Sequence, residues 1–314
     1  MFSKTNLIAS KNGLILWATC IVPSLFPFFV ATELLNQTKI PQLFGRYFYR
    51  YMKPIFNVPG EGAYAFIMGI ICGYPTGAKI VSSFYNNGIC TKAEAERMLA
   101  FTNNSGPLFI VGTVGVSFFG NTQIGVLLLF THLLASLSVG ILFSFISHFF
   151  VKRFTRSANE KIYNTKECTI NNLGDFLMSS ISSSISTLFI IGGFVIIFSV
   201  IVSILNNINF FNIFTYLGIP LKYSKSIFSG IIELTTGISL ASSIIAKNIS
   251  YNIIICAFLL GFGGISVLLQ VFSISSKANL SIKWYFYGKI LQGSFAAFYT
   301  FIILNNFSFL NFNL

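Results

Sequence analysis

A proline and two glycines inside one apolar stretch limit how this chain can fold. The stretch Gly62–Tyr85 is long enough to cross a bilayer, but it contains the run CGYPTGAK at residues 72–79. Proline lacks a backbone N–H and clashes with the preceding turn, so a helix must break there. In hydrocarbon the freed backbone groups cannot bond to water, and such a break is tolerated only inside protein or beside a wet cavity. Broken helices of this kind form the solute sites of many secondary transporters.

The composition identifies the surroundings of this break as a membrane. Only 9% of the 314 residues are charged and 54% are hydrophobic, whereas soluble domains carry about 25% charged residues. Four windows without any acidic or basic residue are long enough for one or two spans of about 20 residues each. These windows lie between Lys11 and Glu33, between Arg97 and Lys152, between Asp175 and Lys222, and between Lys247 and Lys277. We therefore predict an all-α polytopic membrane protein.

The net charge of +12 fits a membrane location better than nucleic-acid binding. The basic residues concentrate in the connecting segments 39–53 and 152–166, where the positive-inside rule and anionic lipid account for them. The bilayer is thus an expected partner and nucleic acid is not. The segment 152–175 is predicted to be a cytoplasmic linker.

No pattern in the sequence indicates catalysis or a cofactor. The five cysteines contain no C-x-x-C pair, and the two histidines lack acidic neighbours, so neither a metal site nor a disulfide framework is predicted. Nucleophile–base pairs and phosphate-binding loops are also missing from the sequence. We expect a protein that is not an enzyme and has no cofactor.

The second half of the chain resembles a diverged repeat of the first. The break at residues 72–79 is followed by a second at Asn103–Pro107, and the second half has interruptions at 233–237 and 261–264. The sequence GIIC at 69–72 matches GIIE at 230–233, and each is followed by Thr-Gly. Paired interruptions of this kind indicate a transporter site between two repeats. The predicted units are an N-terminal segment with an interfacial helix (1–60), a first repeat (61–151), the linker (152–175) and a second repeat (176–314), with the repeats inverted.

The candidate binding residues come from these interruptions. Helix N-termini at the breaks favour anions, and side-chain amides and hydroxyls add neutral hydrogen bonds. Lys79 would hold a solute carboxylate and Glu233 a coupling proton or cation; alternatively the two pair with each other, or Lys79 extends to an interface. For the small residues, the alternative is close helix packing. The predicted solute-binding set is Gly73, Thr76, Gly77, Lys79, Asn103, Asn104, Ser105, Gly106, Thr235, Thr236, Gly263, Gly264 and Gln270.

These motifs resemble the YlbJ family of sporulation integral membrane proteins, also called SpoVV. The resemblance is carried by VPSLFPFF at 22–29, GYPTGAK at 73–79, NNSGP at 103–107 and the glycine-rich element 261–270, and it spans nearly the whole chain. It implies a Gate domain, described as a nucleoside-recognition domain and similar to concentrative nucleoside transporters. It also implies movement of dipicolinic acid towards the forespore across its outer membrane.

Three functions remain open on the sequence alone. The favoured one is transport of a small anionic solute, dipicolinate. The others are transport of a nucleoside or a different carboxylate, and a membrane scaffold that transports nothing. A scaffold should tolerate changes at Lys79, Asn104 and Glu233, whereas a transporter should not. Similar transporters are often oligomeric, which allows a homo-oligomer by analogy.

Overall fold

A computed structural model describes residues 3–150, 173–246 and 248–306 of the chain. The described residues form helices and contain no strand, which confirms the predicted all-α class. In chain order the helices are α1 (Ser3–Leu16), α2 (Val22–Asn36), α3 (Ile40–Phe56), α4 (Gly62–Cys72), α5 (Thr76–Asn86), α6 (Lys92–Thr102), α7 (Thr122–Phe150), α8 (Leu173–Asn207), α9 (Leu221–Ile232), α10 (Leu234–Ser242), α11 (Ser250–Phe262), α12 (Gly264–Ser275) and α13 (Lys283–Asn306). The predicted linker falls almost entirely on 151–172, outside the described residues.

Shorter helical pieces complete these elements. A π-helical turn, Trp17–Ile21, joins α1 to α2, and a π-helix, Leu108–Phe118, follows α6. Two 3₁₀ segments, Phe210–Leu217 and Ser276–Ala278, follow α8 and α12. By length and composition, the helices 122–148, 174–207 and 250–278 could each cross a membrane.

Both halves present the same order of elements. Each has a long first helix (3–36 or 173–207), a short segment (40–56 or 210–217) and a helical pair (62–86 or 221–242). A broken helix (92–118 or 250–275) and a last long helix (122–150 or 283–306) follow. This order extends the correspondence between the halves beyond the motifs that match in sequence.

The two helical pairs are antiparallel hairpins that enter and leave on the same side. In the first, the ring of Tyr64 near the start of α4 lies 6.4 Å from that of Phe84 near the end of α5. In the second, Nζ of Lys222 at the start of α9 donates to the carbonyl of Ile245, just beyond α10, at 3.3 Å. Such a hairpin is a re-entrant element, because a single crossing would place its two ends on opposite sides.

The matched glycines occupy equivalent places at the crossing of each hairpin. A Cβ added to Gly69 would lie 3.3 Å from the Cα of Gly77, and one added to Gly237 would collide with the Cα of Gly230. The backbones can approach so closely only because these positions lack side chains. The short sequence match between the halves therefore reflects a shared packing geometry.

Corresponding helices of the two halves run antiparallel. The first helices of the two halves contact each other at three positions along their length, and the last helices of the two halves contact each other at two. The pairs are Thr5 with Asn207, Trp17 with Leu188 and Gln37 with Ser180 for the first helices, and Phe143 with Trp284 and Thr131 with Thr300 for the last. In each pair of helices, the residue numbers rise along one helix in the direction in which they fall along the other. The two halves are therefore inverted with respect to each other, as predicted.

Local sequence explains where the broken helix of the first half (92–118) begins and how it is anchored. Thr91 and Glu94 form a capping box at the start of α6, with the Thr91 hydroxyl accepting from the Glu94 N–H and the Glu94 carboxylate accepting from the Thr91 N–H. Arg97, one turn further on, is buried and donates to the carbonyl of Asn57 at 2.7 Å. These contacts fix α6 against the loop that leads into the first hairpin.

Candidate functional site

Four helix breaks lie at the tips of the hairpins and in the middle of the broken helices. The first comprises residues 73–75, the second 103–107, the third Glu233 and the fourth Gly263. The first and the fourth have a local cause. Pro75 and Gly73, with φ of +76°, end α4, and Gly263 and Gly264 take φ of +85° and +81° between α11 and α12.

The breaks contact one another across the two halves. The hydroxyl of Tyr74, in the first break, lies 3.4 Å from the carbonyl oxygen of Leu260, one turn before the fourth break. The position of a Cβ on Gly263 is 3.1 Å from the same hydroxyl, and that of a Cβ on Gly264 is 3.2 Å from the backbone nitrogen of Leu234. The first break thus contacts the region of the fourth break, and the third break contacts it as well. The two hairpin tips are therefore close together.

A cavity of about 310 Å³ lies where the breaks meet. One wall is apolar and comes from the long first helices of the two halves. The other wall contains the polar residues and comes from the first three breaks and from α12, which follows the fourth break. The apolar wall comprises Leu16, Ile21, Leu25, Phe28, Ile191 and Val195, and the polar wall includes Gly73, Tyr74, Ser105, Gly106, Glu233, Thr235, Ser266 and Gln270.

Glu233 is held at the N-terminus of the helix that it precedes. Its side chain is 3% exposed, and its carboxylate accepts from the N–H of Thr235 at 3.0 Å and from the N–H of Thr236 at 2.7 Å. The Thr236 hydroxyl donates to the same carboxylate at 2.6 Å. The N-terminus of α10 is therefore already occupied by a negative charge of the protein, which the helix dipole stabilises. A solute anion has no access to these three donors while Glu233 holds them.

Lys79 lies away from the cavity and has a carboxylate partner that the sequence reasoning did not consider. Its ammonium is 2.7 Å from the Glu33 carboxylate, and it donates to the hydroxyls of Ser183 at 2.8 Å and Thr187 at 3.1 Å. The two alternatives to solute binding by Lys79 were pairing with Glu233 and extension to an interface. The structure shows neither of them. The lysine instead ties the first hairpin to the long helices α2 and α8.

A network of buried polar groups supports the second break from behind. The N–H of Ser105 donates to Nε2 of His132 at 3.3 Å, and the amide of Gln292 donates to Oδ1 of Asn104 at 2.8 Å. The side chain of Asn103 accepts from the N–H of Ala78 at 3.3 Å. The amide side chains of the second break thus hold the backbone of the break in place rather than reaching into the cavity.

Lys289 is the functional candidate that the sequence reasoning missed. It is 1% exposed and donates to the carbonyl of Asn103, to Oε1 of Gln292 at 2.6 Å and to the hydroxyl of Tyr74 at 3.5 Å. The signal was present in the sequence, because a lysine inside the predicted final span is costly and marks a candidate site.

The structure separates the predicted binding residues into two groups. Those that line the cavity are Gly73, Ser105, Gly106, Thr235, Gln270 and Glu233. Those that do not are Thr76, Gly77, Lys79, Asn103, Asn104, Thr236, Gly263 and Gly264. Gly77 and Gly264 are placed where backbones pack closely, in keeping with the packing alternative, whereas a Cβ on Gly263 would meet the Tyr74 side chain. Thr76 is buried. A direct role in binding stays a prediction for these residues. No group of three or more potential metal ligands occurs among the described residues.

Comparison with known proteins gives two matches. Residues 18–122 match the Gate family, described as "Nucleoside recognition". This range contains the first two breaks and Ile21, Leu25 and Phe28 of the apolar wall.

The second match covers almost all of the chain. The sporulation integral membrane protein YlbJ of Bacillus subtilis (strain 168) is 34% identical over 313 residues, which cover 94% of this chain and 76% of that protein. No solved structure matches the chain. The extent and level of the identity show that the chain belongs to the family of the sporulation integral membrane protein YlbJ.

Proposed function

We propose that this chain transports a small carboxylate anion, dipicolinate, across a membrane during sporulation. The observation that carries the proposal is one cavity between two inverted halves, lined by the first three helix breaks and by α12, the helix that follows the fourth break. Inverted repeats with discontinuous helices at their interface are the construction that secondary transporters use for their solute sites. A membrane scaffold has no need for polar breaks gathered around a cavity.

The size and lining of the cavity suit a compact ring with polar substituents. A volume of about 310 Å³ is at the lower end of the range of about 300–1,000 Å³ that holds small ligands. The apolar wall offers a surface for a flat ring, and the hydroxyls of Tyr74, Ser105 and Ser266 together with the amide of Gln270 offer hydrogen bonds. Dipicolinate has this shape, with a ring and two carboxylates.

Glu233 is the residue proposed to couple transport to a cation. A solute dianion and an ionised carboxylate in one small cavity repel each other, and this repulsion is strong where water is excluded. The repulsion is removed when Glu233 takes up a proton or a metal cation together with the solute. Solute and cation would then move in the same direction.

Family membership supports the biological setting. The relative is named a sporulation integral membrane protein, and the resemblance of the sequence motifs implies dipicolinate as the solute and the outer forespore membrane as the location. The description of the Gate match as nucleoside recognition makes a nucleoside the solute to test beside it.

The test is uptake of labelled dipicolinate into proteoliposomes that contain the purified chain. Glu233→Gln removes the charge inside the cavity, and Asp175→Asn is the matched control, since it removes one charge from an exposed site on α8. We expect saturable uptake by the wild type and by Asp175→Asn, and little uptake by Glu233→Gln. Wild-type vesicles that accumulate no more dipicolinate than empty vesicles, with imposed proton or sodium gradients, would contradict the proposal. Uptake of labelled uridine by the same vesicles would point to a nucleoside.

A further inference from the structure

Lys289 is a buried lysine whose partners among the described residues are all neutral. Its ammonium contacts the carbonyl of Asn103 and the side-chain oxygen of Gln292, and it lies over the rings of Tyr74 and Tyr285 at 5.2 Å and 5.6 Å from their centroids. Oxygen dipoles and aromatic faces stabilise an ammonium without cancelling its charge. Within residues 3–150, 173–246 and 248–306, no carboxylate lies within ion-pair distance of this lysine.

The contrast with Lys79 shows what is unusual here. Lys79 is partly exposed and has the carboxylate of Glu33 at 2.7 Å, so its charge is compensated inside the protein. Lys289 is more deeply buried, and no carboxylate among the described residues compensates the charge of its protonated form. Burial of an unpaired charge is expensive, and a negatively charged solute nearby would offset that cost.

Lys289 lies directly behind the polar wall of the cavity. Tyr74 lines the cavity, and its hydroxyl oxygen is 3.5 Å from the ammonium of Lys289. The carbonyl of Asn103, which the ammonium also contacts, belongs to the second break, whose next residues line the cavity. One phenol side chain and one stretch of backbone therefore separate the ammonium from a bound solute.

The hydroxyl of Tyr74 can transmit the charge of Lys289. The ammonium donates to the phenol oxygen, so the phenol O–H is the donor that remains. That O–H now has the carbonyl of Leu260 at the long distance of 3.4 Å. A hydroxyl hydrogen turns freely, and a solute carboxylate in the cavity is a stronger acceptor than a neutral carbonyl.

We infer that Lys289 makes the cavity select small carboxylate anions, acting as a positioning residue through the Tyr74 hydroxyl that touches the solute. This inference rests on the proposed function and names the chemical class that the site takes. The solute need not be dipicolinate: any planar mono- or dicarboxylate that fits the cavity satisfies the same chemistry.

The test compares charged and uncharged solutes of the same shape. Thermal stabilisation of the purified full chain in detergent gives apparent affinities for dipicolinate, for isophthalate and for the diamide of each. The variants are Lys289→Gln, which keeps hydrogen-bond donors but loses the charge, and Tyr74→Phe, which keeps the ring and the packing. Lys283→Gln is the control, because it removes an exposed lysine charge from the first residue of the same helix, α13.

We expect the wild type to prefer each carboxylate to its diamide. Lys289→Gln should weaken carboxylate binding about 10- to 100-fold and leave diamide binding nearly unchanged, and Tyr74→Phe should reduce the same preference. Lys283→Gln should keep the preference of the wild type. A carboxylate-to-diamide ratio that Lys289→Gln leaves unchanged, including equal losses for both kinds of solute, would overturn the inference and indicate a purely structural lysine.

The outcomes also separate this inference from the proposed function. If the wild type binds isophthalate but not dipicolinate, and Lys289→Gln loses isophthalate, the lysine selects anions and dipicolinate is the wrong solute. If dipicolinate binds equally to wild type and Lys289→Gln, dipicolinate stands and the role of the lysine is wrong. A wild type that neither carboxylate stabilises overturns both.

Discussion

Gly77 is the position where a single methyl group should most directly disturb the meeting of two breaks. It lies on the first turn of α5, against the backbone of the second break. A Cβ at this position would lie 2.7 Å from the carbonyl carbon of Thr102 and 2.9 Å from the Cα of Asn103, with the Thr102 oxygen closer still. These atoms are backbone, so they cannot move aside as a flexible side chain would. Gly77→Ala therefore requires α5 to move away from the second break.

The expected cost follows from three terms. Overpacking a close contact costs about 1–3 kcal/mol, and contact with backbone places this case at the upper end. Moving α5 away also lengthens the bond from the Ala78 N–H to Oδ1 of Asn103, now 3.3 Å, which costs about 1 kcal/mol. The better helix propensity of alanine returns about 1 kcal/mol. The net loss in the free energy of unfolding is about 3 kcal/mol.

Thermal unfolding of the purified protein in detergent, followed by circular dichroism, measures this loss. Gly193→Ala on α8 is the matched control, because nothing lies within 4 Å of a Cβ at that position; it should leave the melting temperature unchanged or raise it. Gly77→Ala should lower the melting temperature by several degrees and reduce dipicolinate uptake as well. If Gly77→Ala melts as high as Gly193→Ala, the close contact between the first hairpin and the second break is not what the structure shows.

Two further predictions concern groups outside the cavity. Lys79→Ala and Glu33→Ala should each destabilise the protein, and the double variant should cost less than the sum, with a coupling of about 0.5–3 kcal/mol in a double-mutant cycle; additive losses would mean that the 2.7 Å ion pair contributes nothing. Burial raises the pKa of Glu61, in the loop before α4, so its contribution to stability is complete below the unfolded pKa of about 4.3 and is lost as the pH rises through the raised folded value. Glu61→Gln should accordingly melt higher than the wild type at pH 8 and no higher near pH 4, and equal differences at both pH values would contradict this.

Some helix breaks and helix starts of this protein were predictable from the sequence, because residues close to them in sequence determine them. Gly73 and Pro75 end one helix, and the capping box at Thr91 and Glu94 starts another. The repeated Gly-Ile-Ile before each hairpin tip marked the two halves. These signals predicted the broken helices and the repeat, and the composition predicted a membrane protein.

The arrangement of side chains was not predictable, because it depends on contacts between distant residues. Lys79 was expected at the solute, yet Glu33 on another helix holds it. Glu233 was expected to be available for coupling, and it lies in the cavity but also caps its own helix. Lys289 was not among the residues predicted from the sequence, which came from the helix breaks. Its position behind Tyr74 depends on how α13 packs against the second break.

The central claim is that the solute occupies the cavity between the two halves. Thr113 lines that cavity, while Ser117, one turn further along the same π-helix, is exposed. Thr113→Trp should fill the cavity and abolish most uptake of labelled dipicolinate into proteoliposomes, whereas Ser117→Trp, with the same added bulk, should transport like the wild type. Transport by Thr113→Trp at the wild-type rate would contradict the claim that solute passes through this site.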